Sequence, residues 1–219
     1  MISRREMLKS CIGAAVIGVG STSQGIAQTG ARLFSPRPFS EVSEVAARLI
    51  AAAEAQVGRT VQYDGSYIPL KYPMGDIPLQ RGVCTDVLIR AYRDAFGLDL
   101  QRIIHEDMSQ AFREYPQIWG LKGPDKNIDH RRVLNMERFF VRQNASLQIG
   151  RRGSDFRPGD LVSQRLPRNL PHIGIVSHYA SHDGQRPLLI HNVGAGTRVE
   201  DRLFDAKIVG HFRFLPDEG

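Results

Sequence analysis

Arg81-Gly82-Val83-Cys84-Thr85-Asp86-Val87-Leu88-Ile89-Arg90-Ala91-Tyr92-Arg93-Asp94-Ala95-Phe96-Gly97 predicts a helix with a cysteine in its first turn. Val87, Leu88, Ala91, Tyr92 and Ala95 recur at helical spacing and make one apolar stripe. Gly97 stands where glycine ends helices readily. Cys84 falls on the same stripe one turn earlier, so it points inward at the helix N-terminus. That end carries partial positive charge and unpaired N–H groups, which favour a thiolate and a developing oxyanion. Asp86 works against this, because a nearby carboxylate raises a thiol pKa. Two readings of Cys84 are open: a nucleophile, or an inert buried cysteine.

The N-terminus bears on that choice. Ser3-Arg4-Arg5-Glu6-Met7-Leu8-Lys9 is a basic region, Cys11 to Gly20 an apolar one, and Gly25-Ile26-Ala27 offers small residues before a cut ahead of Gln28. This pattern predicts an export signal over residues 1–27, and the Ser-Arg-Arg-x-x-Leu-Lys run resembles the twin-arginine type. The apolar run is shorter than the roughly 20 residues that span a bilayer. No membrane span is therefore expected once the signal is removed. Cys11 leaves with it, and Cys84 becomes an unpaired thiol in a disulfide-favouring, periplasmic or otherwise exported setting. Loss of Arg4, Arg5, Lys9 and Glu6 takes the net charge from +6 to +4. That moderately basic balance suits an anionic polymer such as cell wall. No Lys/Arg run interleaved with aromatics is present, so nucleic acid is not an expected partner.

Residues 28–39, with Pro36 and Pro38, read as a flexible lead-in, and residues 40–219 as a single domain. A helix capped by Ser40 is expected to run to about Val57, ended by Gly58. Residues 59–82 are dense in Gly, Pro and Asp and predict a long loop with short extended pieces, forming one wall of a cleft beside Cys84. Partial helix follows from Asp99 to about Glu114, and then Trp119 to Asp129 is loop. Asp129 is a candidate N-cap for a helix to about Gln143. His130, at that helix start beside two arginines, reads as a surface or capping residue.

The second half changes character. Leu161-Val162, His172 to Tyr179, Leu188 to Val193 and Lys207 to Leu215 have strand patterning, with Asp183-Gly184 as a turn. Helices first and an antiparallel sheet after them make an α+β fold.

A thiol nucleophile needs a base, and the base needs an orienting partner. His172 at a strand start and His191 near the end of the next strand supply those parts. Asn192 points to the face opposite His191, so only one of the two can be the orienter in a regular strand, and Asn192 is also a candidate oxyanion or substrate contact. A two-residue turn at Asp183-Gly184 sets His191 opposite Val176, about 13 Å along the strand from the level of His172. Direct pairing of the two needs an irregular return. His178 and His182 lie toward the turn and are expected to be solvated. The four histidines match no tight zinc spacing, so neither a metal nor another cofactor is expected.

Gly82-Val83-Cys84-Thr85-Asp86, Pro158-Gly159-Asp160-Leu161-Val162, His172-Ile173-Gly174-Ile175-Val176 and Ile190-His191-Asn192 together resemble the NlpC-type cell-wall cysteine peptidases. Over about residues 45 to 215 the chain is similar, more closely, to domain-of-unknown-function family 1287, through GVCTDV, DHRRV, PHIGIVS and HNVGAG. The first resemblance implies a papain-like fold with Cys84 as nucleophile, His172 as base and His191 as orienter. It also implies Tyr63 as a candidate oxyanion donor. Val83-Cys84-Thr85 departs from the usual Asp-Cys-Ser of that family, and the interval between the histidines is longer. The expected function is an exported cysteine hydrolase acting on amide bonds of peptidoglycan stem peptides or another peptide. A wall- or protein-binding module with an inert Cys84, and a thiol acyltransferase, are the rival classes. Arg81, Arg131 and Arg132 stand either as contacts for substrate carboxylates or as solvated surface charges.

Overall fold

The computed structural model describes residues 38–216. The expected export signal and most of the lead-in lie outside them. The lead-in's last two residues are pinned: Pro38 bridges Tyr179, and the Phe39 N–H donates to the His178 carbonyl.

Helix α1, Glu44–Glu54, is capped by the Ser43 side chain rather than by Ser40. Its buried face is Ala46, Leu49, Ile50 and Ala53. The loop that follows holds two short parallel strands, β1 (Gln62–Tyr63) and β2 (Arg81–Gly82). Helix α2, Cys84–Phe96, starts at the cysteine and stops at Gly97, whose φ of 64° is the left-handed conformation glycine adopts freely. The polar side of α2 holds the loop down. Arg90 pairs with Asp76 and donates to the Ile77 and Arg81 carbonyls, and Arg93 pairs with Asp99 and donates to Gly75. The cleft wall is thus fixed to the helix that carries Cys84.

Helix α3, Leu100–Ala111, is capped by Asp99. Asp129 does not cap the next helix. Asp129–Arg131 form a 3₁₀ turn, and helix α4, Val133–Arg142, begins after it with Arg132 at the cap position.

The sheet comprises β3 (Leu161–Leu166), β4 (Leu170–Ala180), β5 (Pro187–Asn192), β6 (Thr197–Glu200) and β7 (Lys207–Phe212), all neighbours antiparallel in the order β6-β5-β4-β3-β7. The fold is α+β, as the order of patterns predicts. Strand β6 is additional to the strands that the sequence patterning predicts. It is anchored where the Thr197 N–H donates to the Thr60 carbonyl, an approach that leaves no room for a side chain at Gly196.

Alternation in the strands makes two cores. Leu161, Ile173, Ile175 and Ile190 pack with the helices, and Val162, Val176 and Leu189 pack with Phe156 and Leu203 on the other face. No helix among the described residues is long and apolar enough to cross a membrane.

Candidate active site

Cys84 occupies the first position of α2 and is 3 % exposed. Burial pushes its thiol up to about 11, while the backbone N–H groups of Ile173, Thr85 and Cys84 itself oppose that rise. The sulfur therefore meets the start of α2 and the residue after His172. Its hydrogen-bonding neighbours are these N–H groups rather than the ring of His172.

Asp86 is the first-turn acid of α2. Its Oδ2 accepts from the Val83 N–H at 2.7 Å, satisfying a donor at the helix start. Both carboxylate oxygens also accept from Arg131 at 3.0 Å, and the two side chains are almost fully buried. Arg131 donates further to the Ser66 and Asp64 carbonyls. Arg131 is therefore neither a solvated surface charge nor free for a substrate: it neutralises Asp86 and ties the 3₁₀ turn to the cleft loop. Arg81 pairs with Asp64. Arg132 pairs with Asp129 and lies 4.1 Å over the Trp119 ring. His130 is buried, in contrast to the surface position expected for it, and burial pushes it down to about 3.

A β-bulge answers the difficulty over the histidine register. Ala180 faces Pro187, and regular continuation places Val176 opposite His191. Instead Val176 faces Leu189 and Ile175 faces Ile190, because the pairing slips between Val176 and Ala180. The slip brings His191 opposite Gly174, on the same sheet face as His172. A β-carbon at Gly174 would stand 3.2 Å from that of His191, so glycine lets the ring lean across toward His172. His172 Nε2 and His191 Nδ1 are 2.9 Å apart. His191 Nε2 is in turn 3.1 Å from Oε2 of Glu200 on β6. Both links join diagonal neighbours, a reach long side chains manage across adjacent strands.

Glu200 is the residue sequence reasoning missed. The alternation of Thr197-Arg198-Val199-Glu200 after two glycines was the signal for its strand. His178 sits by the bulge beside Glu54, and His182 is exposed in the turn, so neither joins the His172–His191 pair. Asn192 points the other way from His191. Its Nδ2 donates to the Gly82 carbonyl at 2.9 Å and its Oδ1 accepts from Gly194. It fastens the end of β5 to the residue two before Cys84.

The mouth of the site is a groove of about 460 Å³ lined by Tyr63, Val83, Cys84, Ile118, Trp119, Arg132 and Pro171 among others. Tyr63 is half exposed there. Burial, then the Cys84 and Asp86 charges, push its hydroxyl up to about 12, so it keeps its proton as a donor.

Burial pushes His172 down to about 3 and His191 down to about 4, with Arg202 adding to both. These two and His130 bind protons less readily folded than unfolded. Between an unfolded value of 6.5 and those folded values the unfolded chain holds more protons, so stability falls as pH falls. The slope is about 1.4 kcal/mol per pH unit for each fully discriminated histidine. Glu54, raised to about 7 by burial, opposes one of the three over the upper part of that window. The expected result is a urea midpoint that drops steadily from pH 6.5 to 4.5. A flat midpoint would mean that these rings are not held neutral.

Residues 50–214 match the model of a family described as "Domain of unknown function (DUF1287)". The chain is also similar to "Uncharacterized protein YijF" of Escherichia coli (strain K12), 51% identical over 163 residues that cover 74% of this chain and 78% of that protein. With the cysteine, histidine and glycine positions described above inside the matched span, the chain belongs to the DUF1287 family.

Proposed function

We propose that this protein is an exported cysteine hydrolase that cleaves amide bonds, with peptidoglycan stem peptides as its substrate class, on an NlpC-type papain-like fold. The observation that carries the reading is that three elements adjoin one another along the chain and the sheet. A cysteine opens a helix against backbone N–H groups, a hydrogen-bonded histidine pair begins one residue from its nearest strand contact, and a groove opens on the cysteine. Cys84 packs with Ile173 on the helix face of the sheet while His172 alternates to the face of Gly174 and Val176, so the reading requires the start of β4 to turn the His172 ring toward the sulfur when substrate binds.

In this mechanism Cys84 Sγ attacks the carbonyl carbon while His172 takes the thiol proton. Burial holds both groups neutral at rest, so the proton moves during attack rather than before it. The N–H groups at the start of α2, and the Tyr63 hydroxyl, stabilise the oxyanion. His172 returns the proton to the leaving amine, and water then releases the acyl group from sulfur.

The 3 % exposure of Cys84 favours one rival, a wall- or protein-binding module with an inert thiol. Incubating the mature protein with wall fragments, and reading new amino groups by mass spectrometry, separates the two. The hydrolase reading expects turnover that Cys84→Ala abolishes and that His172→Ala slows about 10²- to 10⁴-fold. No turnover, with Cys84 alkylated only in the unfolded chain, would establish the binding module instead.

A further inference from the structure

We propose that Glu200 is a positioning residue that sets the tautomers of His191 and His172, through a chain of hydrogen bonds running diagonally over three strands. It uses the thiol-hydrolase reading only for its kinetic consequence; the proton arrangement stands without it.

The relay starts at the β6 end. An ionised carboxylate accepts hydrogen bonds and donates none. Glu200 lies between two guanidinium groups, Arg198 at 3.7 Å and Arg202 at 3.6 Å. With Oε2 3.1 Å from His191 Nε2, the proton of a neutral His191 ring resides on Nε2. His191 Nδ1 then carries a lone pair and must accept. Its partner at 2.9 Å, His172 Nε2, must therefore donate. A neutral His172 with its proton on Nε2 presents a lone pair at Nδ1. That nitrogen makes no hydrogen bond among the described residues. It is the one ring nitrogen of the pair left to exchange a proton, which in the thiol-hydrolase reading is the proton of Cys84.

Reversing any link breaks the series. A proton on His191 Nδ1 would leave Nε2 and the Glu200 carboxylate as two facing acceptors. It would also require His172 Nε2 to accept, which moves the His172 proton to Nδ1 and removes the base. Glu200 thus does for His191 what an orienting carboxylate does for a catalytic imidazole, one ring further from the chemistry.

The geometry also explains why the bulge and Gly174 matter. Without the slip between Val176 and Ala180 the two rings stand apart, and a side chain at Gly174 would press on the His191 β-carbon at 3.2 Å and push it from its place. The relay therefore needs three unrelated local features, a bulge, a glycine and an edge-strand glutamate.

The test is the ring-nitrogen spectrum of the full chain labelled with ¹⁵N-histidine, with His172→Gln and His191→Gln as assignment controls. The expected pattern has pyrrole-type Nε2 and pyridine-type Nδ1 on both rings near pH 7. Glu200→Ala is expected to erase that preference at His191 and to slow alkylation of Cys84 about tenfold. Glu200→Gln retains an acceptor oxygen and is expected to keep both the pattern and the rate. The side chain of Glu200 is 26% exposed, so truncation leaves no sealed cavity. A wild-type His191 with its proton on Nδ1 overturns the proposal without any variant. So does a folded Glu200→Ala protein whose two rings are unchanged. Absence of wall-fragment turnover with the expected tautomers intact would reject the hydrolase reading alone.

Discussion

Asp160→Ala is expected to destabilise the protein by about 3–5 kcal/mol, the range for breaking a buried charged pair by removing one partner. Asp160 is fully buried. Its carboxylate accepts from His211 Nε2 at 2.8 Å, from Arg213 at 2.7 and 2.9 Å, and from the Arg157 N–H at 2.9 Å. These bonds join the turn before β3 to the end of β7, the outer strand on that side of the sheet. The other nitrogen of His211 faces the Gln148 carbonyl, so both ring nitrogens meet acceptor oxygens and truncating Asp160 leaves Nε2 buried without its partner. A domain of ordinary stability has roughly 5–15 kcal/mol in total, so the variant stands near the edge of folding at 37 °C. Asp160→Asn keeps the shape and one acceptor oxygen, and a smaller loss is expected. Urea midpoints of the three proteins check this. A loss below about 1 kcal/mol for alanine, the level of an exposed pair, would show that the clamp is not a structural one.

Asp160 also shows what kind of information the sequence carries. Pro158-Gly159-Asp160 is visible as a turn before a strand, because turn chemistry is local. Its clamp on His211 and Arg213 is not, since the partners are some fifty residues away and ordinary in composition. The same contrast runs through the rest of the chain. Helix α2 is legible at both ends, because its apolar stripe and Gly97 are written within one stretch. The start of α4 is not. Asp129 has the chemistry of a cap, but its backbone is used in a 3₁₀ turn that delivers Arg131 to Asp86, and this tertiary demand overrides the local preference. His130 follows the same turn into the interior.

The histidine pair illustrates the limit most sharply. The turn at Asp183-Gly184 is legible, as is the residue period of two, and together they give a register that keeps His172 and His191 apart. A bulge is a tertiary accommodation with no strong residue signature, here set where Phe39 donates to the His178 carbonyl and Pro38 bridges Tyr179. Two residues of slip convert separated rings into a 2.9 Å contact. Glu200 escaped for a different reason. Its strand spans Thr197–Glu200 alone, so the alternation that marks it covers only four residues, and its tether is the distant Thr60 carbonyl.

The buried pair beneath Cys84 offers a separation of stability from reactivity. Asp86→Ala and Arg131→Ala are each expected to cost about 3–5 kcal/mol, since either leaves the other charge buried and unpaired. A double replacement, Asp86→Leu with Arg131→Met, removes both charges and is expected to cost clearly less than the sum of the singles. On the thiol the two single changes act in opposite directions. Asp86 raises the Cys84 pKa through its charge, and Arg131 neutralises that charge from the far side. Removing Asp86 therefore removes a charge that raises the thiol and favours the thiolate, so alkylation of the folded variant at pH 8 should be faster than in the wild type. Removing Arg131 leaves the carboxylate unopposed, and alkylation should be slower. Measuring both rates at a temperature well below each unfolding midpoint keeps global opening out of the comparison. If instead both variants react faster, and in proportion to their loss of stability, then exposure by unfolding controls the thiol and the charge pair does not tune it.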